Sequence, residues 1–197
     1  MLRSVALFAA LYAILLGLWP LVGGWYSAAF RAGGAAAFGS IGSDGVVKFK
    51  PADAAVSGGV HENRIYLYNR RNPNAYFQMT NSTRYVGYLP TILVAALVLA
   101  TPVSRERRAW SMLWGLGAVH VFIALRLGVV LLGAFCGEGP WCLWRPSPFW
   151  ASVLASTGDG LSNSPPISFI VPVFIWLVVT VRREDVTRLL GEGATAE

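Results

Sequence analysis

An arginine lies inside one of the most apolar stretches of the chain. The stretch GAVHVFIALRLGVVLL, residues 117–132, carries Arg126 among aliphatic side chains, with His120 six positions before it. A guanidinium in apolar surroundings has to be paired, hydrogen-bonded or solvated. The long apolar stretches of the sequence contain no Asp or Glu. The partner of Arg126 is therefore a carbonyl, a neutral polar side chain, water, a lipid or a bound group, which makes it the first candidate for a functional residue.

His120 has a different expected role. Six helical residues leave two side chains about 120° apart around the helix axis, so His120 and Arg126 do not share one face. We expect His120 to be a neutral histidine that hydrogen-bonds between helices.

Two cysteines, Cys136 and Cys142, enclose the short loop GEGPW. The topology argued below puts this loop on the oxidising side of a membrane, where such a pair is typical of a structural disulfide. We predict that disulfide, with a reactive thiol as the alternative. Glu138 alone is not enough to complete a metal site, so neither a metal nor another cofactor is expected.

The loop that follows is rich in tryptophan. Its sequence WCLWRPSPFW, residues 141–150, holds Trp141, Trp144 and Trp150 beside Arg145. Aromatic side chains in such a loop either anchor a protein at the membrane interface or form the hot spots of a docking surface. Both interpretations stay open at this point.

The composition indicates what kind of protein positions these residues. Hydrophobic residues make up 55% of the 197 residues and charged residues only 13%, about half the charged fraction usual in soluble domains. The mean hydropathy is +0.52. The net charge is +6, and much of the basic charge flanks apolar segments. Membrane lipids are therefore expected partners, and nucleic acid is not.

Apolar segments near the length of a membrane span give the predicted fold class. We predict an all-α membrane protein with about four transmembrane helices, forming a single integral membrane domain over residues 1–197. The predicted spans are residues 5–19, 85–102, 110–135 and 166–181. A cleaved signal peptide is the alternative for the first of them.

Arginine-rich flanks predict the orientation. The loop VSRERR, residues 103–108, and the flank RREDVTR, residues 182–188, carry most of the basic excess in short segments. The positive-inside rule then places this loop and both termini in the cytoplasm. The chain is predicted to be a multi-pass protein of the cytoplasmic (inner) membrane, with residues 23–84 as an extracytoplasmic insertion.

Alternating apolar and polar residues within this insertion predict β-structure. Two such runs flank the turn-rich NRRNPN and predict a small β-hairpin over residues 64–79, with Arg70 and Arg71 at its tip. Residues 46–50 are a candidate third strand. Residues 25–38 are either a short interfacial helix or a loose connector, because two adjacent glycines weaken the helix.

The order of these elements resembles the exosortases and archaeosortases, membrane proteins that process C-terminal sorting signals of exported proteins. The matching segments are QMTNSTRYVGYLPTILVAALVLATP, then VSRERR, then WSMLWGLGAVHVFIALRLGVVLL. The resemblance covers most of residues 5–182 and is mainly architectural. It implies an outer pocket in which Arg126 matches the family's catalytic arginine. Ser82, Thr83 and Arg84 are the other candidate pocket residues.

Two catalytic groups implied by the resemblance are missing. The family's nucleophilic cysteine would fall within residues 82–85 and its histidine within residues 163–167, and neither residue type occurs there. The two cysteines of this chain follow the arginine helix and do not match. Ser82 or Thr83 would need a strong base to replace a thiol, and the sequence shows none nearby.

We therefore expect a degenerate, non-catalytic exosortase-like protein that binds an exported peptide tail, a lipid or a protein partner near Arg126. An active hydrolase that uses Ser82 or Thr83 is a disfavoured alternative. The alternative function is that of an accessory structural subunit of a larger membrane protein complex, docked through its outer β segment and residues 141–150.

Overall fold

The computed structural model describes residues 2–52, 62–136, 139–163 and 166–181. A turn of π-helix, Arg84–Tyr88, joins the last strand to the third helix. The elements are, in chain order, α1 Leu2–Gly17, α2 Trp19–Phe38, β1 Ser40–Ile41, β2 Gly45–Pro51, β3 Glu62–Asn69, β4 Asn72–Ser82, α3 Leu89–Ala100, α4 Arg105–Ala134, α5 Pro148–Asn163 and α6 Ile167–Thr180.

Of the helices in the described ranges, only α4 is long and apolar enough to cross a membrane by itself. The predicted all-α fold with four transmembrane helices is therefore wrong. At 1.5 Å per residue, the 30 residues of α4 extend about 45 Å, whereas the π-helical turn and α3 together, Arg84–Ala100, reach at most about 25 Å and α6 about 21 Å. A bilayer core is about 30 Å thick. Helix α3 ends early because Thr101, which precedes Pro102, has an extended backbone.

The first predicted span is also interrupted. Helix α1 ends at Gly17, and α2 continues from Trp19 at an angle of 71°. Counting this bent pair as one broken span gives at most two candidate spans. A multi-pass chain with both termini in the cytoplasm has no support in the described helices. The basic flank at 182–188 and Glu138 lie outside the described residues.

The structure of α2 decides whether residues 25–38 form a helix or a loose connector. These residues are helical throughout, so the loose connector is wrong. Pro20 lies in the first turn of α2, where its missing N–H removes no intrahelical hydrogen bond. The chain can therefore start a second helix immediately after the bend.

The strands form one antiparallel sheet in the order β1-β2-β3-β4. The hairpin predicted over residues 64–79 is confirmed by the pairing of β3 with β4, and Arg70 and Arg71 form its turn. The candidate third strand, residues 46–50, lies within β2. The sheet is larger than predicted because β4 continues to Ser82 and β1 adds a short edge.

One face of the sheet packs on the helices. Side chains alternate along a strand, so the inward-facing apolar residues of β2 and β3 meet the last turns of α4. The shared core consists of Val47, Ile65, Leu67, Leu127, Leu131 and Phe135. The α4 residues of this core follow one another at four-residue intervals. The axis of α4 therefore runs along the face of the sheet.

Helices α3, α4 and α6 pack together at the opposite end of α4. Val94, Val98, Val119 and Ile123 form their shared core. Polar side chains satisfy carbonyls that the helix ends leave without intrahelical partners. Ser111 Oγ donates to the Val179 carbonyl at 2.8 Å, and other bonds at this end run from Arg107, Arg108 and Trp176.

Gly115 lies where α4 passes close to α3. A Cβ at this position would lie 2.9 Å from Cγ1 of Val94, whereas a Cβ at Gly117 would meet nothing within 4 Å. Val94 is fully buried and its branched side chain is stiff. The two glycines therefore give a matched pair on one helix.

We predict that Gly115→Ala destabilises the protein by about 1–3 kcal/mol through overpacking. Gly117→Ala leaves stability unchanged or raises it by up to about 1 kcal/mol, because alanine is the better helix former. Thermal unfolding in mild detergent measures both changes. Equal unfolding midpoints for the two variants would contradict the close approach of α3 to α4.

Candidate functional site

A cavity of about 400 Å³ lies where the end of β4 meets α4 and the start of α6. It brings Arg126 and Ser82 together, two of the residues predicted to share a pocket. The lining consists of Met79, Thr80, Asn81, Ser82, Tyr85, Val86, Arg126, Leu127, Val130, Ser168 and Phe169. Aliphatic and aromatic side chains form most of the wall, and the polar groups are concentrated on β4, α4 and α6.

Arg126 supplies the charge of the cavity. Its side chain is only 5% exposed, and Nη1 donates a hydrogen bond to Ser168 Oγ at 2.6 Å. No carboxylate lies within salt-bridge distance of Arg126 in the part of the chain that the structure describes. One neutral hydroxyl does not balance a buried cation. The guanidinium is therefore a charged group with hydrogen-bonding capacity left for a ligand.

Ser168 was missed by sequence reasoning. It is the second residue of α6, one position beyond the stretch in which the family resemblance placed a histidine. A single hydroxyl in the first turn of a very apolar helix was the available clue. A serine is too common at helix starts for that clue to identify a partner of Arg126.

Thr83 and Arg84 do not line this cavity. Thr83 is fully buried, and its hydroxyl accepts a hydrogen bond of 2.5 Å from Nδ2 of Asn63. Oδ1 of Asn63 in turn accepts from Nη1 of Arg31 at 2.9 Å. This chain of bonds ties α2 and β3 to the start of the π-helical turn. Thr83 therefore has a structural role, and of the two candidate hydroxyls only that of Ser82 is available to the cavity.

Arg84 is directed to a different part of the molecule. It interacts electrostatically with Tyr12 of α1 and with Tyr88, whose hydroxyl donates to the Leu15 carbonyl. Its Nε is buried and has no hydrogen-bond partner among the described residues. Arg84 thus faces the packing of α1 against α3, away from Arg126.

His120 lies on another face of α4, as its spacing from Arg126 predicts. Its side chain is exposed, and Nδ1 bonds the Leu116 carbonyl of its own helix at 2.7 Å. The expected bond between helices is thus replaced by a bond within α4. His120 borders a second cavity of about 280 Å³ between α2 and α4, so it is not part of the arginine site.

Cys136 and Cys142 are free thiols, so the predicted disulfide is wrong. Other contacts hold the two ends of the loop. Cys136 Sγ accepts a hydrogen bond from Nε1 of Trp144, and the Cys142 carbonyl accepts from Asn69 Nδ2 at 2.8 Å. Burial raises the pKa of the Cys136 thiol, and the nearby Cys142 raises it further.

The predicted docking residues are divided between packing and exposure. Trp141 stacks on Phe77 of the sheet, with ring centroids 5.4 Å apart, so it belongs to the fold. Trp144, Arg145 and Trp150 are exposed. The exposed part of the loop is therefore smaller than the sequence suggested.

We predict that Cys136 and Cys142 are both alkylated by N-ethylmaleimide in denaturant without prior reduction, as mass spectrometry would show. In the folded Cys142→Ser variant, iodoacetamide reacts with Cys136 more slowly than with N-acetylcysteine. The reason is that a raised pKa leaves less thiolate at neutral pH, and the rate rises with pH through that pKa. An unreduced chain that takes up no label would instead demonstrate a disulfide.

The cavity offers hydroxyls and one cation but no ready acid–base pair. Imidazole, thiol and carboxylate groups are missing from its described lining. No three His, Cys, Asp or Glu side chains within the described ranges lie close enough together to hold a metal ion. The arrangement is chemically suited to holding an anion.

No family model, no curated protein and no solved structure matches the chain. The resemblance to exosortases stays a prediction from sequence, and the function has to be argued from the arginine cavity itself.

Proposed function

We propose that this protein is anchored in a membrane and binds an amphiphilic anion at Arg126 without converting it chemically. The observation that carries the proposal is the burial of the Arg126 guanidinium in an open cavity, with Ser168 Oγ as a partner and no carboxylate beside it in the described residues. The bound anion supplies the missing counter-charge.

The polar groups around the cation suit a carboxylate or a phosphate. A guanidinium presents donors in a planar fork that matches the oxygens of either anion. Asn81 and Ser82 line the same cavity and add polar atoms to its wall. Ser168 orients the guanidinium by occupying one of its donors, which leaves the others for the ligand.

The walls indicate what the anion is attached to. Met79, Val86, Leu127, Val130 and Phe169 surround the polar groups with apolar surface. A small hydrated anion gains nothing from such walls, whereas an anion with an apolar chain buries that chain against them. The tail of an exported peptide and the head group of a lipid share this chemistry.

The position of the sheet supports a membrane crossing by α4 between Arg108 and Arg126. An open sheet exposes backbone groups at its edges, and hydrocarbon cannot satisfy them. The sheet packs along Leu127, Leu131 and Phe135, so this part of α4 lies outside the hydrocarbon. The stretch from Arg108 to Arg126 measures about 27 Å, close to the bilayer core of about 30 Å.

This placement puts Arg126 at the outer boundary of the membrane. Large apolar side chains between the boundaries are exposed, including Trp110, Trp114 and Leu125, as a lipid-facing surface requires. The positive-inside rule puts residues 105–108 in the cytoplasm and the cavity outside the cytoplasmic membrane.

A second candidate function is that of an accessory subunit of a membrane complex. The exposure of Trp144, Phe149 and Trp150 next to Arg145 favours it, because aromatic and arginine side chains are enriched in binding hot spots. Native mass spectrometry of the protein released from its own membrane discriminates between the two. A stable heteromeric complex that Trp150→Ala disrupts would favour the subunit function.

We predict that replacement of Arg126 weakens anion binding selectively. The probes are N-acetyl-valyl-phenylalanine as the free acid and hexyl phosphate, each compared with its neutral counterpart, the dipeptide amide or hexanol. Calorimetry on the protein in nanodiscs measures affinity. Arg126→Gln weakens binding of the charged probe at least about tenfold, the expectation for a lost charge-assisted hydrogen bond.

Arg145→Gln is the matched control, because it removes the same charge from an exposed position outside the cavity. Its affinity for the charged probe stays at the wild-type value. Binding of the free acid alone identifies a carboxylate ligand, and binding of the phosphate alone identifies a head group. Equal binding of charged and neutral probes, or no effect of Arg126→Gln, contradicts the proposal.

The membrane boundary is tested with cysteines placed on either side of Arg126. In a protein whose native cysteines are changed to serine, Leu132→Cys reacts with a membrane-impermeant maleimide in intact vesicles and Leu125→Cys does not. Both side chains are exposed on α4, so burial in the protein does not explain the difference. Labelling of both positions, or of Leu125→Cys alone, would contradict the proposed boundary.

A further inference from the structure

Four consecutive residues of β4 line the arginine cavity. These residues are Met79, Thr80, Asn81 and Ser82. Side chains of a strand point alternately to opposite faces of a sheet, so a cavity on one face would touch every second residue. Contact with consecutive residues means that the cavity borders the edge of the strand, where its backbone N–H and C=O groups project.

Strand β4 is an edge strand. In the described chain it pairs with β3 on one side, and the sheet order places no strand on its other side. Its length is 11 residues, whereas β1 at the other edge of the sheet has 2 residues. The longer unpaired edge of the sheet is thus the one that faces the cation.

The last eight residues of β4 lack the usual protection of an exposed edge. Proteins block such edges with charged residues, prolines, bulges or very short strands, because an unpaired edge recruits other strands. The stretch AYFQMTNS, residues 75–82, contains neither a charged residue nor a proline. The register of β3 with β4 shifts only next to the hairpin turn, between Tyr68 and Asn69. The part of the β4 edge beside the cavity is regular and open to pairing.

We propose that the ligand of the cavity is an extended peptide that adds to the sheet beside Met79–Ser82 and brings its C-terminal carboxylate to Arg126. This inference rests on the proposed anion site and specifies its ligand. The peptide backbone donates to and accepts from β4 in the manner of an added strand, and the guanidinium binds the terminal carboxylate.

The backbone edge distinguishes a peptide from a lipid. Projecting N–H and C=O groups next to a ligand need partners, and an acyl chain offers none. A peptide offers both kinds of group at the spacing of a strand. Adjacent strands lie about 4.8 Å apart, so side chains of the added strand contact the walls contributed by Val86, Val130 and Phe169.

The test uses a short peptide of alternating valine and threonine with a free C-terminal carboxylate, and three modified forms. One form is the C-terminal amide. The other two carry N-methyl groups on alternate amides, in one or the other phase, so that each blocks the donors on one edge of the peptide. Calorimetry with the full-length protein in nanodiscs gives the affinity for each form.

The expected result is a phase-dependent loss of affinity. One N-methylated form binds at least about tenfold more weakly than the parent, the effect of losing several backbone hydrogen bonds, and the other form binds as the parent does. The C-terminal amide binds more weakly than the free acid, and Arg126→Gln removes this difference in affinity. Thr80→Glu places a negative charge in the cavity lining and weakens the acid form of the peptide more than its amide, while Gln78→Glu, outside the cavity, does not.

Two failures are distinguishable. Equal binding of both N-methylated forms and the parent, with the acid still preferred over the amide, overturns strand addition and leaves the anion site intact. Equal binding of acid and amide overturns the anion site as well. Binding of hexyl phosphate without binding of any peptide overturns the inference in favour of a lipid head group.

Discussion

The contact of the sheet with the last turns of α4 fixes the arrangement of the rest of the molecule. Leu127, Leu131 and Phe135 lie on one stripe of the helix and fill the inner face of the sheet. This contact brings the end of β4 beside Arg126, and it also covers one side of the last turns of α4. The position of the cation, the opening of the cavity and the proposed boundary of the membrane therefore depend on the same apolar packing.

That packing also determines which polar groups lie near Arg126. Arg126 could remain an isolated cation on a helix, but Ser168 bonds to it from α6, and the end of β4 lines the same cavity. Three separate elements thus surround one guanidinium. The energetic cost of burying the charge is offset in part by the serine, and the remainder favours an anion from outside the described chain.

Local patterns in the sequence predict local structure well. Alternation in 64–79 and 46–50 identifies the strands, and the turn-rich hexapeptide identifies the hairpin. Arg126 is recognisable as unusual because of its apolar neighbours. The length of an apolar run, in contrast, does not reveal where a helix ends. The bend near Leu18 and the extended Thr101 shorten two predicted spans, and both depend on proline and packing more than on hydropathy.

Relations between distant residues are harder to predict. Ser82 and Thr83 are adjacent, yet one lines the cavity and the other is bonded to Asn63, because the chain leaves the strand between them. The spacing of the two cysteines suggested a disulfide. Instead, a hydrogen bond from Trp144 Nε1 and a β-bridge between Cys136 and Trp144 hold the start of the loop. Neither outcome follows from spacing along the chain.

The π-helical turn Arg84–Tyr88 determines which of its side chains face the cavity. A π-turn contains one residue more than an α-turn for the same closure, so the side chains that follow it are rotated relative to a regular helix. Tyr85 and Val86 thereby face the cavity, while Tyr88 faces α1. The turn therefore lets one short segment both line the cavity and pack in the core. Deletion of one residue from the turn would rotate Tyr85, Val86 and Tyr88 relative to the cavity and to α1. The sequences of α3 and of the sheet would be unchanged.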